Sequence, residues 1–302
     1  MDPPTQPGLD AFELAVVLRQ CSVLGLPQPS TVQPVRVGRS GAQVVRLLTS
    51  DSRLILKITT AADRLEQARR ERRLTAAPGL AHATAGYVAG EDRHDIVSLA
   101  TVEGTPLPAP DSLTDREWTS LASALGSWHR TPPPPGITVP GAAPPQTSSI
   151  TASVEMWADR VPERVVADAA EIIGTRAAAV GAGTAGQVLE HGDCHTENIV
   201  RDEDGRFRWI DWQEARTGDG FSDLAFVWQR AEFAGARPPR EEMTQAYASA
   251  RGLTVDHDVR RSLDSAELRL LFLAWPPFLG HGSPASRRHL SDRLCDLTAT
   301  LR

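Results

Sequence analysis

Eight consecutive residues, His191-Gly192-Asp193-Cys194-His195-Thr196-Glu197-Asn198, form the densest polar stretch of the chain. Asp193 lies five positions before Asn198, and Asp211, within Trp209-Ile210-Asp211-Trp212, lies thirteen beyond it. One carboxylate here can accept a proton from an attacking hydroxyl. The amide oxygen of Asn198 and the carboxylate of Asp211 are hard donors suited to magnesium, which takes few protein carboxylates and fills its octahedron with phosphate oxygens and water. The set is too open for a closed metal cage and right for a metal-bound nucleotide. Two other readings compete. Asp and Asn also serve as turn residues. His191, Asp193 and His195, with Cys194 nearby, also suit a zinc or di-metal hydrolase. The remaining histidines (His82, His94, His129, His257, His281 and His289) are isolated, and no distant pair completes such a site.

A second signal is a single residue. Lys57 is the only lysine among 32 basic residues. Coding bias toward arginine explains the excess of guanidinium groups. A position that keeps lysine under that pressure needs a compact ammonium that a planar guanidinium does not replace.

These residues need a scaffold. The chain has 302 residues, of which 41% are hydrophobic and 23% charged, enough to bury a core in one large or two smaller domains. A formal charge of −6 leaves no basic excess for a phosphate backbone, so nucleic acid is not an expected partner. Three widely spaced cysteines (Cys21, Cys194, Cys295) argue against a disulfide framework and for a reducing, cytoplasmic setting. The opening residues lack a cationic and an apolar segment, so no signal peptide is expected. No apolar run approaches a membrane span of about 20 residues.

Leu9 to Leu24 reads as an amphipathic helix stopped by Gly25 and Pro27. Thr31–Val37, Gln43–Thr49 and Arg53–Thr59 read as strands of an antiparallel meander with tight connections. A helix is expected over 61–76, and strands over Ala85–Ala89 and Asp95–Ala100. The composition shifts near Glu103-Gly104. A helix over Ser112–Arg130 puts Trp118, Leu121, Leu125 and Trp128 on one face. Residues 131–149 hold seven prolines and read as a loop. Helical patterns return over 150–180. A β-prone piece, Gln187–Glu190, leads into the polar stretch. Val200 and Phe207–Ile210 flank Asp204-Gly205, a hairpin signal. From Phe221 onward the chain reads as helices broken at Gly235–Pro239, Gly252 and Pro276–Pro284.

HGDCHTEN, the later IDW and the Asp223-Leu224-Ala225 segment together resemble the aminoglycoside phosphotransferase and choline kinase superfamily, the small-molecule branch of the protein-kinase-like fold. The likeness is specific over residues 186–226 and looser over 31–104. It implies an α+β, bilobal kinase-like fold. Residues 1–102, with a leading tail and helix over 1–30, would form a small antiparallel β-sheet lobe that binds nucleotide. Residues 103–302 would form a larger, mainly helical catalytic lobe. It further implies that Asp193 is the catalytic base, that Asn198 and Asp211 hold Mg²⁺, and that His191 and Asp223 support the loop. Lys57, paired with Glu71 in preference to Glu66, would hold the phosphates of ATP, with GTP an alternative donor. Gly38, Ser40 and Gly41 would cover the nucleotide, although the full glycine-rich pattern is absent. Ser98, Ala100 and Val102 would lie at the hinge that meets the base. His195, Glu197, Trp212, Glu214, Trp228 and Glu232 are the expected acceptor-side residues. The acceptor would be a small-molecule hydroxyl, an antibiotic or other natural product first and choline, a sugar or an amino alcohol second. A nucleotide-binding pseudokinase scaffold is a further alternative. Arg230 to Arg302 carries 11 arginines and nine acids, a local net of +2 that does not resemble a bowl for a polycation. The protein is expected to be a monomer or homodimer.

Overall fold

The computed structural model describes residues 9–35, 41–141, 144–176 and 186–302. In chain order the elements are α1 (Ala11–Val23), β1 (Thr31–Pro34), β2 (Gln43–Leu48), β3 (Arg53–Thr59), α2 (Leu65–Thr75), β4 (Tyr87–Asp92), β5 (Val97–Val102), β6 (Thr105–Pro106), α3 (Asp115–Trp128), α4 (Thr147–Trp157), α5 (Glu163–Arg176), β7 (Val188–Glu190), β8 (Ile199–Arg201), β9 (Phe207–Trp209), β10 (Arg216–Gly218), α6 (Phe221–Phe233), α7 (Arg240–Arg251), α8 (His257–Ala274) and α9 (Pro284–Leu301). The architecture is α+β. It divides into two compact units, Met1–Thr105 with Val200–Gln213, and Pro106–Ile199 with Glu214–Arg302.

In the first unit β1-β2-β3-β5-β4 form an antiparallel sheet. Alternation along β3 turns Leu54, Leu56 and Ile58 into a core with Val45, Leu47 and Ala100, under Val17 and Cys21 of α1. Lys57, one residue out of phase, lies on the opposite face. An Asp10–Glu13 capping box starts α1, each side chain bonding the other's backbone N–H. β8 and β9 are neighbours in a smaller sheet. Trp209 donates its N–H to Ala83 O at 2.7 Å, joining β9 to the segment that precedes β4.

The sequence places β4 and β5 about two residues early. Arg93 N–H donates to Ile96 O at 2.9 Å, so Asp95 belongs to the turn. The helix expected from residue 61 begins at Leu65, because Ala61–Arg64 closes a turn first (Arg64 N–H to Ala61 O, 2.9 Å). Strand β10 is not anticipated. It pairs antiparallel with β7, opposing Arg216 to Glu190.

The second unit is mainly helical. Trp118, Leu121, Leu125 and Trp128 of α3 are buried, as the periodicity requires. Helices α3 and α7 approach closely at Gly126, where a Cβ would stand 2.3 Å from Tyr247 O. A larger core joins α4, α5, α8 and α9 through Trp157, Val166, Ile173, Leu268, Phe272, Trp275, Leu290, Leu294 and Leu297. Among the described residues no helix is long and apolar enough to cross a membrane.

Candidate active site

In the first unit, Lys57 Nζ donates to Glu71 Oε2 at 2.8 Å and to Asp211 Oδ1 at 2.7 Å. Strand β3 supplies the lysine and α2 the glutamate. The aspartate lies just after β9 in a left-handed conformation (φ 64°), the only non-glycine residue with positive φ among the described residues. Such a conformation costs an ordinary residue about 1–2 kcal/mol and needs surrounding structure to impose it. Here Trp212 beside it is fully buried, and its indole N–H donates to Trp209 O at 2.9 Å. Arg70 of α2 also donates to Gln213 O at 2.8 Å.

Burial works against the charge on Lys57, but the Glu71 and Asp211 carboxylates outweigh it and raise its pKa. Burial raises Glu71 as well, against the pull of the lysine. The raised amine stays charged at neutral pH. Asp211 Oδ2 takes no hydrogen bond among the described residues and is a hard oxygen that fits a divalent cation.

The second unit holds the polar loop. Asn198 Nδ2 donates to Asp193 O at 2.9 Å and to Asp193 Oδ2 at 3.0 Å, and stands 3.2 Å from His195 Nε2. These partners fix the amide's orientation and leave its Oδ1 without a hydrogen bond, a second hard oxygen of the kind magnesium takes. Burial opposes the charge of Asp193, yet hydrogen bonds from His195 and Asn198 hold its carboxyl below the ordinary range. His191 is fully buried and its Nδ1 accepts from Asp193 N–H at 3.3 Å. Asp223, on α6, accepts His191 N–H at 2.6 Å and Gly192 N–H at 2.9 Å. Gly192 sits at φ 82°, and a Cβ there would stand 2.1 Å from Glu214 O. Glycine is therefore required at this turn. Among the described residues no group of three His, Cys, Asp or Glu side chains is arranged to hold a metal alone.

The other anticipated residues are distributed differently. Gly38 and Ser40 lie outside the described residues, and Gly41 has φ 67° with open space around it. Ser98 and Ala100 lie inside β5, which has strand neighbours on both sides, and both are fully buried. Ser98 Oγ donates to Gln20 of α1 at 2.9 Å, so its side chain supports the sheet. Val102 is exposed, and its N–H donates to Gly86 O at 2.8 Å. Of the expected acceptor-side residues, Trp212 and Trp228 are core, the latter under the Arg240 guanidinium at 5.0 Å. Glu232 is held by Arg240 at 2.6 Å and by His289 at 2.9 Å. Glu214 is exposed. Glu197 is exposed and meets Arg230 at 3.3 Å. His195 is nearly buried, 6.1 Å from the Phe226 ring.

Sequence reading missed Glu190, Arg216, His129 and Tyr247. Buried Glu190 pairs with Arg216 at 2.8 Å and accepts Gly220 N–H at 2.9 Å. Burial pushes its carboxyl up to about 7. His129, at the end of α3, contacts Asp223 Oδ2 at 3.3 Å and Tyr247 Oη at 2.8 Å. No motif marks these four; only the fold gathers them.

The sequence pattern of the phosphotransferase enzyme family matches residues 31–263. No curated protein matches the chain significantly. Among solved structures, a macrolide 2′-phosphotransferase from Brachybacterium faecium superposes with a TM-score of 0.62 at 19% identity, covering 94% of this chain and 98% of that one. An amicoumacin kinase in complex with AMP-PNP, Ca²⁺ and Ami superposes with a TM-score of 0.64 at 15% identity, covering 95% and 93%. A choline kinase from Streptococcus pneumoniae superposes with a TM-score of 0.60 at 14% identity, covering 96% and 100%. At these identities the likeness establishes a shared fold.

Proposed function

The chain belongs to the phosphotransferase enzyme family, and we propose that it transfers the γ-phosphoryl group of ATP to a hydroxyl of a small hydroxylated natural product, an antibiotic foremost. The observation that carries this reading is the single lysine of the chain bonded to both Glu71 and Asp211. A lysine kept as a buried ammonium between two acids is poised to meet phosphate oxygens when a nucleotide is present. Two of the three structural neighbours described are antibiotic-modifying kinases, which supports the acceptor class. The choline kinase neighbour supports the alternative, a primary-metabolite alcohol such as choline.

In this reading Lys57 neutralises donor phosphate charge. Asp193 is ionised and orients the acceptor hydroxyl. Its depressed pKa makes it a weak base, which suits a loose transition state in which the acceptor proton leaves late. Asn198 Oδ1 and Asp211 Oδ2 are the oxygens that would hold Mg²⁺. That ion, when bound, supplies charge neutralisation at the β- and γ-phosphate oxygens. Asp223 keeps the loop backbone in place through its two amide contacts.

A panel of macrolides, aminoglycosides, other hydroxylated antibiotics, choline, sugars and amino alcohols, scored by Mg-ATP consumption and product mass, tests the reading. Turnover is expected with at least one antibiotic. Asp193→Asn is expected to lose about 10²–10⁴-fold in turnover with its melting temperature unchanged. Turnover of Asp193→Asn within threefold of wild type would remove Asp193 from the mechanism. Turnover with choline alone would shift the acceptor to the metabolite class.

A further inference from the structure

A line of buried polar groups runs from α7 to the Asp193 loop inside the second unit. Arg251 Nη1 lies 3.0 Å from Tyr247 Oη, Tyr247 Oη lies 2.8 Å from His129 Nδ1, and His129 Nε2 lies 3.3 Å from Asp223 Oδ2. Asp223 then accepts the backbone N–H groups of His191 and Gly192, the two residues before Asp193. His129, Tyr247 and Asp223 are each no more than 1% exposed.

The chemistry of the donors fixes the direction of every bond. A guanidinium only donates, so Tyr247 Oη accepts from Arg251. The phenol has one proton, and it goes to His129 Nδ1. That ring nitrogen is then an acceptor, so the imidazole proton sits on Nε2 and is donated to Asp223. Burial disfavours the imidazolium and lowers the His129 pKa, against the hydrogen bond to Asp223, so the ring is neutral at neutral pH. The charged groups facing the imidazole are Asp223 from α6, Arg251 from α7 and Asp219 from the loop before α6. Gly220 closes over this line. It has φ 82°, and a Cβ there would stand 2.6 Å from Tyr247 Oη, 2.8 Å from His129 Nδ1 and 3.0 Å from Arg251 Nη1. The chain therefore packs against the line with no side chain between them.

We propose that His129, held as the neutral Nε2–H tautomer by Tyr247, is a positioning residue: it fixes the Asp223 carboxylate so that this carboxylate holds the backbone of the Asp193 loop. The catalytic consequence rests on the phosphotransferase reading; the tautomer and the loop restraint do not. His129 is sealed from solvent. It acts through Asp223, and a misplacement of about 1 Å at a reacting group costs about 10²-fold in rate.

The test pairs one measurement that needs no activity with one that does. Nitrogen-15 imidazole spectra of the full chain are expected to show His129 neutral and protonated at Nε2. Hydrogen exchange at the amides of His191 and Gly192 is expected to speed at least tenfold in His129→Ala and in Tyr247→Phe. His129→Gln, whose amide can accept from Tyr247 and donate to Asp223, is expected to restore most of the protection. Tyr247→Phe removes one oxygen and His129→Gln keeps a polar side chain, so either carries the test if His129→Ala does not fold. With Mg-ATP and an acceptor found in the panel, kcat is expected to fall 10- to 100-fold in His129→Ala while KM for Mg-ATP stays within twofold. An Nδ1–H tautomer, or unchanged amide exchange in folded His129→Ala and Tyr247→Phe, overturns the proposal and leaves the phosphotransferase reading standing. Exchange that behaves as expected in a protein that consumes no ATP with any acceptor supports the loop restraint and overturns the phosphotransferase reading.

Discussion

Replacing Glu71 by Gln keeps the shape of a buried side chain and deletes one of the two negative charges on Lys57. The two carboxylate oxygens stand 2.8 and 2.7 Å from Nζ, so each carries about half of the attraction. At 2.8 Å and an effective dielectric of about 20, a unit-charge pair is worth about 6 kcal/mol before desolvation is subtracted. Opposite charges this close move a titrating group by about 1–3 units in folded proteins, and each unit changes the free-amine fraction about tenfold. Glu71→Gln is therefore expected to lower the Lys57 pKa and to speed its acylation about 10- to 1000-fold at fixed pH. The readout is unambiguous because the chain has no other lysine. A short pulse of an acylating reagent at pH 8, followed by mass spectrometry of the Lys57 peptide, gives the rate, with the N-terminal amine as internal standard. Saturating Mg-ATP is expected to slow labelling in both proteins. A Glu71→Gln rate within twofold of wild type would show that Glu71 does not hold the ammonium in solution, and the electrostatic account of this triad would fail.

Asp211→Asn preserves a residue that tolerates the left-handed backbone but removes the carboxylate, so its Mg²⁺ requirement is expected to rise at least tenfold, and an unchanged Mg²⁺ titration would assign the ion to another ligand. The Asp193 carboxyl is held below the ordinary range, so near an unfolded value of about 3.9 the folded state binds fewer protons than the unfolded one. The stability it contributes and its base form are both present above that pH and are lost as pH falls through the depressed value. kcat/KM is thus expected to stay flat from neutral pH down to about 5, and an acid limb centred near 6 would contradict the depressed carboxyl. Gly192→Ala adds a left-handed penalty of about 1–2 kcal/mol to a backbone clash, since its Cβ would lie 2.1 Å from Glu214 O. Urea unfolding is expected to show a loss above about 2 kcal/mol, and an unshifted midpoint would mean that the loop relaxes freely.

The sequence was most legible where a local rule applies. The alternation of Leu54, Leu56 and Ile58 places Lys57 on the other face of its strand, and the spacing of Trp118, Leu121, Leu125 and Trp128 gives the buried side of α3. The polar stretch marks the loop in which Asn198 Nδ2 stands 3.0 Å from Asp193 Oδ2. It was least legible where burial decides. Trp212 stands beside a motif residue and reads as an acceptor contact, yet its ring fills the core. His129 and Tyr247 are 118 positions apart, and no local pattern pairs them.

The first compact unit is discontinuous in sequence: after Thr105 its next residue is Val200. This has a consequence for synthesis on the ribosome. Trp209 N–H completes a contact with Ala83 O, and Asp211 supplies one of the two acids on Lys57, so both partners wait for chain made much later. At about 5–20 residues per second the 154 positions from Lys57 to Asp211 take roughly 8–30 s. Through that interval β3 carries its lysine with Glu71 as the only one of the two acids yet made. A nascent chain stalled before residue 200 therefore carries an incomplete unit, and one released after residue 213 carries every residue of it. The same order bars a continuous fragment such as 1–105 from standing in for the unit, because it ends before the strand and the aspartate that the unit shares with the later chain.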